Sequence, residues 1–190
     1  MTVKSVAYSI LVLRIITLLI LVASATYIAL NSYKLAGQKK ITWKDLKTYR
    51  YVFAIAVIGA VYSLIQIPFA LYYARTEKRL IRHSCLPEFD FYGDKLVSYI
   101  LATGVGAGFA ASMELRETID DFVAVIAIIL AAVNENINLA FNLDKFRSET
   151  HKFLHRGIIA TILLTIGFAF MAITSILSSI NRTRTNRFFS

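Results

Sequence analysis

The fold of this chain is decided by a long apolar stretch near its N-terminus, VAYSILVLRIITLLILVASATYIAL, at residues 6–30. As an α-helix this stretch would be about 37 Å long, which is enough to cross about 30 Å of hydrocarbon. Three further apolar runs follow at residues 52–73, 95–113 and 157–180. Each is about as long as the roughly 20 residues that a spanning helix needs. The pattern therefore predicts four membrane-spanning helices.

The overall composition agrees with this interpretation. The chain has 190 residues, of which 57% are hydrophobic, and its mean hydropathy is +0.60. A soluble domain of this size would not need so large an apolar surplus. We therefore expect an all-α protein, an integral membrane four-helix bundle, in which residues 1–190 form a single four-span domain.

The charged residues lie mainly between the apolar runs. The formal net charge is +9, and this placement favours anionic lipid headgroups over nucleic acid as the counter-charge. Positive charge does not orient the bundle, because nine basic residues fall on one side of the predicted membrane and eleven on the other.

Neither a metal, a cofactor nor catalysis is predicted. His151 and His155 are four residues apart, with Glu149 nearby, but a third ligand is not evident. A solvated histidine pair outside the spans is favoured over a metal site. The sequence also contains no evident nucleophile–base pair, phosphate-binding loop or paired carboxylates within the spans.

A shorter apolar segment, FVAVIAIILAAV, lies at residues 122–133 between the third and fourth runs. As a helix it would be only about 18 Å long, which is too short to span. Apolar residues recur at helical spacing from 119 to 133. We expect a short interfacial helix at 119–133, and a fifth span is the alternative.

The first run contains one charged residue, Arg14, well inside it. An arginine at the centre of a spanning helix costs about 2.5–3.5 kcal/mol on insertion scales, so it is normally paired, snorkelled or functional. Asp94 lies at the entry to the third run, on the same membrane face as the start of the first. We expect Arg14 and Asp94 to form a structural pair that fixes the register of two helices. The alternative is that Arg14 snorkels alone and Asp94 caps its helix.

Other residues in and beside the spans are candidates for packing or modification. Gly104, Gly108 and Ala111 form a small-residue stripe in the third run, which would pack within the bundle or against another copy. Pro68 predicts a kink in the second span. Cys85, the single cysteine, could be palmitoylated if its loop is cytoplasmic, and an unmodified thiol is the alternative.

Two stretches of the sequence resemble a known plant family. DLKTYRYVFAIAVIGAVYSLIQ at 45–66 and GDKLVSYILATGVGAGFAAS at 93–112 are similar to the corresponding segments of the Casparian strip membrane domain protein-like (CASP-like) family, and residues 155–179 resemble its last span more loosely. That family has four spans, with an arginine in the first and an aspartate in the third. Arg14 and Asp94 occupy those positions here. A more distant similarity to MARVEL-type four-span proteins fits the same architecture.

The resemblance implies a function that the composition alone does not. It implies a plasma-membrane protein with both termini cytoplasmic, which forms homo- and hetero-oligomers with related four-span proteins and acts as a non-catalytic scaffold. A role in building Casparian strips is not implied, because the cysteines expected in the outer loops of the strip-forming members are absent. The alternative function is a channel, a transporter or an accessory subunit of one that uses the intramembrane Arg14–Asp94 pair.

Overall fold

A computed structural model of the chain describes residues 3–33, 41–76, 85–133 and 137–187, with side chains described for 7–33, 41–72, 75, 91–129 and 143–180. The described residues form four long helices and one very short antiparallel strand pair. The helices are α1 (Val3–Ala29), α2 (Lys47–Thr76), α3 (Cys85–Val133) and α4 (Ile137–Arg187). The predicted all-α architecture is confirmed.

All four helices are long and apolar enough to cross a membrane. Their candidate spans are Ala7–Ala29, Lys47–Tyr72, Phe91–Ile129 and Leu143–Ile180. About two-thirds of each apolar window remains uncovered by the protein, since only 33–39% of it is buried. That outer apolar surface is the surface that lipid would cover. The chain therefore forms a four-span membrane bundle.

The helices pack in the cyclic order α1, α2, α3, α4. Helix α1 packs closely against α2 and α4, and α3 packs against α4 and α2, whereas α2 and α4 barely touch. Helices α1 and α3 thus lie diagonally across the bundle. The space between them is filled by a core that includes the fully buried Leu21, Leu101 and Leu164. A contact between α1 and α3 has to pass through this centre.

The connection between α1 and α2 is tied to the bundle at one end. Strand β1 (Ser32–Tyr33) pairs with β2 (Ile41–Thr42), and a 3₁₀ turn, Trp43–Asp45, leads into α2. The amide of Asn31 donates 2.9 Å to the carbonyl of Phe153 on α4. These contacts place the short strand pair at the same end of the bundle as the charged segment that precedes the fourth span.

The prediction of a separate interfacial helix at 119–133 is wrong. Those residues are the C-terminal part of α3, which has 49 residues and would be about 74 Å long. Helix α4, with 51 residues, extends beyond the predicted span in the same way. The charged residues at 114–121 would be costly inside the hydrocarbon, but no glycine or proline in 114–133 stops the helix.

The extended parts of α3 and α4, residues 114–133 and 137–156, form an antiparallel helical hairpin. Oδ1 of Asp120 on α3 accepts one hydrogen bond from Nε of Arg147 at 2.7 Å and lies 3.0 Å from Nε2 of His151; both partners are on α4. Val123 of α3 and Thr150 of α4 are buried in this region. Polar contacts and buried side chains between its two helices therefore stabilise the hairpin, in addition to its connection to the spans.

Candidate functional site: a polar cluster inside the bundle

The most unusual site in the apolar interior is built around Arg14 and Asp94. The guanidinium Nη2 of Arg14 on α1 donates to Oδ2 of Asp94 on α3 at 2.9 Å. The two side chains are 4% and 0% exposed. Because α1 and α3 lie on a diagonal of the bundle, this bond crosses its centre. The long arginine side chain provides the reach that such a crossing needs.

A third helix, α2, supplies the second hydrogen-bond donor to the Asp94 carboxylate. Tyr62 on α2 donates its hydroxyl hydrogen to Oδ1 of Asp94 at 2.8 Å. One helical turn further, Nε2 of the buried Gln66 donates to the Tyr62 hydroxyl at 3.1 Å. We name Arg14, Tyr62, Gln66 and Asp94 the polar cluster. It connects α1, α2 and α3 through one carboxylate, so both oxygens of Asp94 have a donor.

The guanidinium of Arg14 is not fully satisfied by these contacts. Its Nε and Nη1 atoms are buried without a hydrogen-bond partner among the described residues, as is Oγ of Ser63 on α2. A buried arginine normally uses its forked donors together, as in a bidentate carboxylate pair. The described geometry is a single-point bond instead. The charge of Arg14 therefore depends heavily on the one carboxylate beside it.

The chemical capacity of the polar cluster is narrow. A carboxylate that accepts from an arginine and a tyrosine at the centre of a packed bundle is not positioned as a general base for an external substrate. Arg14, Gln66 and Asp94 are each 4% exposed or less. What the arrangement does well is to hold three helices in one register, because a sliding helix would leave a buried charge alone.

The small-residue stripe on α3 faces the interior. A Cβ added to Gly104 would lie 2.9 Å from Cγ2 of Ile55 on α2, and one added to Gly108 would lie 2.5 Å from Oγ1 of Thr161 on α4. Ala111, one turn on, is 8% exposed. These three positions let α3 approach its neighbours within the protomer. The opposite face of α3 carries Gly106, where an added Cβ would meet no atom of the described residues within 4 Å.

The remaining candidate residues lie apart from the polar cluster. Pro68 is part of α2, which continues through it to Thr76, and its side chain is exposed. His151 is held by Asp120 on the helical hairpin. The side chain of Cys85 lies outside the described residues. Within the side chains that the structure describes, no three potential ligands from histidine, cysteine or carboxylate residues come together.

Sequence reasoning singled out Arg14 and Asp94 but did not assign a partner role to Tyr62. The phenol lies 32 residues from Asp94 and carries no charge, so the sequence does not indicate that the two side chains meet. A local signal did exist. Tyr62 and Gln66 are four residues apart in the second span, which places two polar side chains on one helix face.

The four spans and the buried polar cluster define a multi-pass membrane protein with a charged pair inside its bundle. The family model described as Casparian strip membrane protein domain matches residues 4–125. CASP-like protein 4D1 of Ricinus communis is 34% identical and covers 89% of this chain and 88% of its own. CASP-like protein 4D2 of Arabidopsis thaliana is 32% identical over 93% of this chain and 90% of its own.

The chain therefore belongs to the CASP-like family of plant multi-pass membrane proteins. The family model covers Arg14, Asp94, Tyr62 and Gln66, so the whole polar cluster falls inside the matched region. Most of the hairpin lies after residue 125 and so falls outside that model. The alignment with the Ricinus communis relative, which covers 89% of this chain, extends across the hairpin. No solved structure matches the chain.

Proposed function

We propose that this protein is a non-catalytic membrane scaffold, which self-associates and with related four-span proteins organises domains of the plasma membrane. Membership of the CASP-like family is the observation that carries the proposal. The polar cluster acts within it as a structural lock. A scaffold needs a rigid shape to present to its neighbours, and a charge pair across the bundle centre penalises any sliding of α1 against α3.

The outer face of α3 supports close contact between copies. Along it Thr103, Gly106 and Ala110 are exposed at intervals of three and four residues. Small residues let helices approach closely in lipid, where apolar surface alone gives little drive to associate. The stripe of Gly104, Gly108 and Ala111 then serves packing inside the protomer, and the self-association face lies on the opposite side of the helix.

The topology of the proposal follows from the order of the spans. With both termini in the cytoplasm, the strand pair and the helical hairpin both lie on the outer side of the membrane. Cys85, at the start of α3, then lies near the cytoplasmic surface, where palmitoylation could add an anchor to an already inserted protein. Neither this topology nor palmitoylation of Cys85 requires a catalytic group in the protein.

Self-association is tested by counting subunits. The tagged protein in lipid nanodiscs or in cell membrane at low density is photobleached, and bleaching steps per particle are counted. Gly106→Leu places a branched side chain on the proposed face, and Ala169→Leu is the matched control on an exposed face of α4. We expect multiple steps for the parent and the control, and a shift to single steps for Gly106→Leu.

Two results would oppose the proposal. Single bleaching steps for the parent protein at all densities would remove self-association. Equal loss of assembly in both variants would remove the α3 face, because it would indicate a general effect of added bulk.

A further inference from the structure

A groove lies where α4 passes from the helical hairpin into the apolar part of its span. It has a volume of about 560 Å³ and is formed mainly by α4, with Arg116 from α3 and Tyr27 from α1. We name it the basic groove. Its position matters, because Tyr27 is near the end of the first span and Arg116 is just beyond the third predicted one. The groove thus sits at the level of the lipid headgroups.

The rim of the basic groove is cationic. Arg116, Lys152 and Arg156 line it together with two imidazoles, and none of its lining residues is acidic. Lys152 is held by Glu149 at 2.8 Å, so part of its charge is compensated. Arg116 and Arg156 are exposed and form no ion pair within 4 Å among the described residues. Glu149 also attracts Arg156 from beyond 4 Å, but the donor groups of both guanidinium groups remain available to an anion.

The floor of the basic groove is apolar. Leu154 is 2% exposed, and Ile158 and Ile159 are half-buried beside it. One turn further into the span, Ile162 is 45% exposed and faces the lipid region. The groove is thus open at its apolar end to the hydrocarbon and bordered by positive charge at the other. A free inorganic anion would use only the rim.

We propose that the basic groove binds the phosphate-bearing headgroup of an anionic phospholipid. Arg116 and Arg156 donate to the phosphate oxygens, since a guanidinium fork matches phosphate geometry. The acyl chain lies along Ile158 and Ile159 and continues into the bilayer. This site goes beyond the scaffold function and does not depend on self-association, because all of its lining residues belong to one protomer.

The test is equilibrium binding of a fluorescent phosphatidic acid to the full-length protein in neutral detergent. Phosphatidylcholine with the same label and chains is the reference lipid. We expect phosphatidic acid to bind at least about tenfold more tightly, and the Arg116→Gln/Arg156→Gln variant to lose about tenfold or more, as fits the loss of charge-assisted hydrogen bonds. Lys47→Gln/Arg50→Gln is the matched control.

The control also removes two positive charges, but from the start of α2, which is at the same end of the bundle and outside the groove. We expect its affinity for phosphatidic acid to equal that of the parent. Ile159→Trp is a second, charge-neutral variant that fills the floor, and it should weaken binding even if the arginine variant fails to fold.

Three results would overturn the assignment. Equal losses in the groove variant and the control would indicate diffuse attraction to a basic protein. Binding by the folded arginine variant or by the folded Ile159→Trp variant that matches the parent would remove the groove from the interaction. Inorganic phosphate that competes as strongly as the lipid would indicate a free-anion site, and the acyl chain would have no part in it.

Discussion

Removal of the Asp94 carboxylate is expected to destabilise the bundle strongly, because it leaves Arg14 charged and buried. Arg14 is 4% exposed, and its Nε and Nη1 have no hydrogen-bond partner in the part of the chain that the structure describes. The Asp94→Ala variant also removes the acceptor of the Tyr62 hydroxyl. Breaking a buried ion pair from one side costs about 3–5 kcal/mol. At about 2–4 °C per kcal/mol for a chain of this size, the melting temperature should fall by about 6–20 °C.

The same reasoning predicts a rescue. Arg14→Met combined with Asp94→Ala removes the uncompensated charge, and replacement of a buried pair by apolar groups is often close to neutral. The double variant should therefore recover most of the loss. Ser98→Ala, a buried position one turn further along α3, is a control that alters no charge and should melt close to the parent.

The assay is thermal unfolding of the tagged protein in detergent, followed by fluorescence-detected size exclusion. Parent-like melting of Asp94→Ala would refute the pairing argument, since Arg14 would then be stabilised by water or headgroups. A double variant that melts as low as Asp94→Ala would also refute it, because the loss would then reflect a cavity and not a stranded charge.

Three further predictions concern the end of the bundle that carries the strand pair. Gly157→Val should destabilise by about 1–3 kcal/mol through overpacking, because an added Cβ would lie 2.6 Å from Cζ of Tyr49; thermal melting measures this, and a parent-like value would mean that the phenol moves aside. Asn31→Leu should cost about 1 kcal/mol, since it removes one bond to the carbonyl of Phe153; denaturation by a second detergent tests it, and a loss as large as that of Asp94→Ala would contradict it. Lys44→Cys in a cysteine-free background should react with an impermeant maleimide on intact cells, and labelling only after permeabilisation would reverse the proposed topology.

The four spans could be predicted from the sequence because each is a long apolar run, and membrane insertion leaves few alternatives for such runs. The ends of α3 and α4 could not. Charges at 114–121 predict an end to the apolar span, but a helix satisfies its own backbone hydrogen bonds both inside and outside the hydrocarbon. The spacing at 119–133 predicts a helix, and the structure shows that this helix is continuous with the third span.

The packing of the spans was also beyond the sequence. Gly104 and Gly106 lie in the same apolar run on opposite sides of the helix. The sequence does not indicate which of these sides of α3 packs against α2 and α4. The structure separates them, because a Cβ added at Gly104 would lie 2.9 Å from Cγ2 of Ile55, whereas one added at Gly106 would meet no described atom within 4 Å. The basic groove depends in the same way on tertiary structure, since Arg116 reaches it from a different helix than Arg156.

Assembly into a scaffold should slow diffusion in the membrane, which fluorescence recovery after photobleaching measures in a plant plasma membrane. The tagged parent protein should show a large immobile fraction, and Gly106→Leu should recover much more of its fluorescence than Ala169→Leu. Rapid and complete recovery of the parent, at the rate of a single small membrane protein, would contradict the scaffold. Solute flux through reconstituted vesicles that is lost in Asp94→Ala would then favour transport.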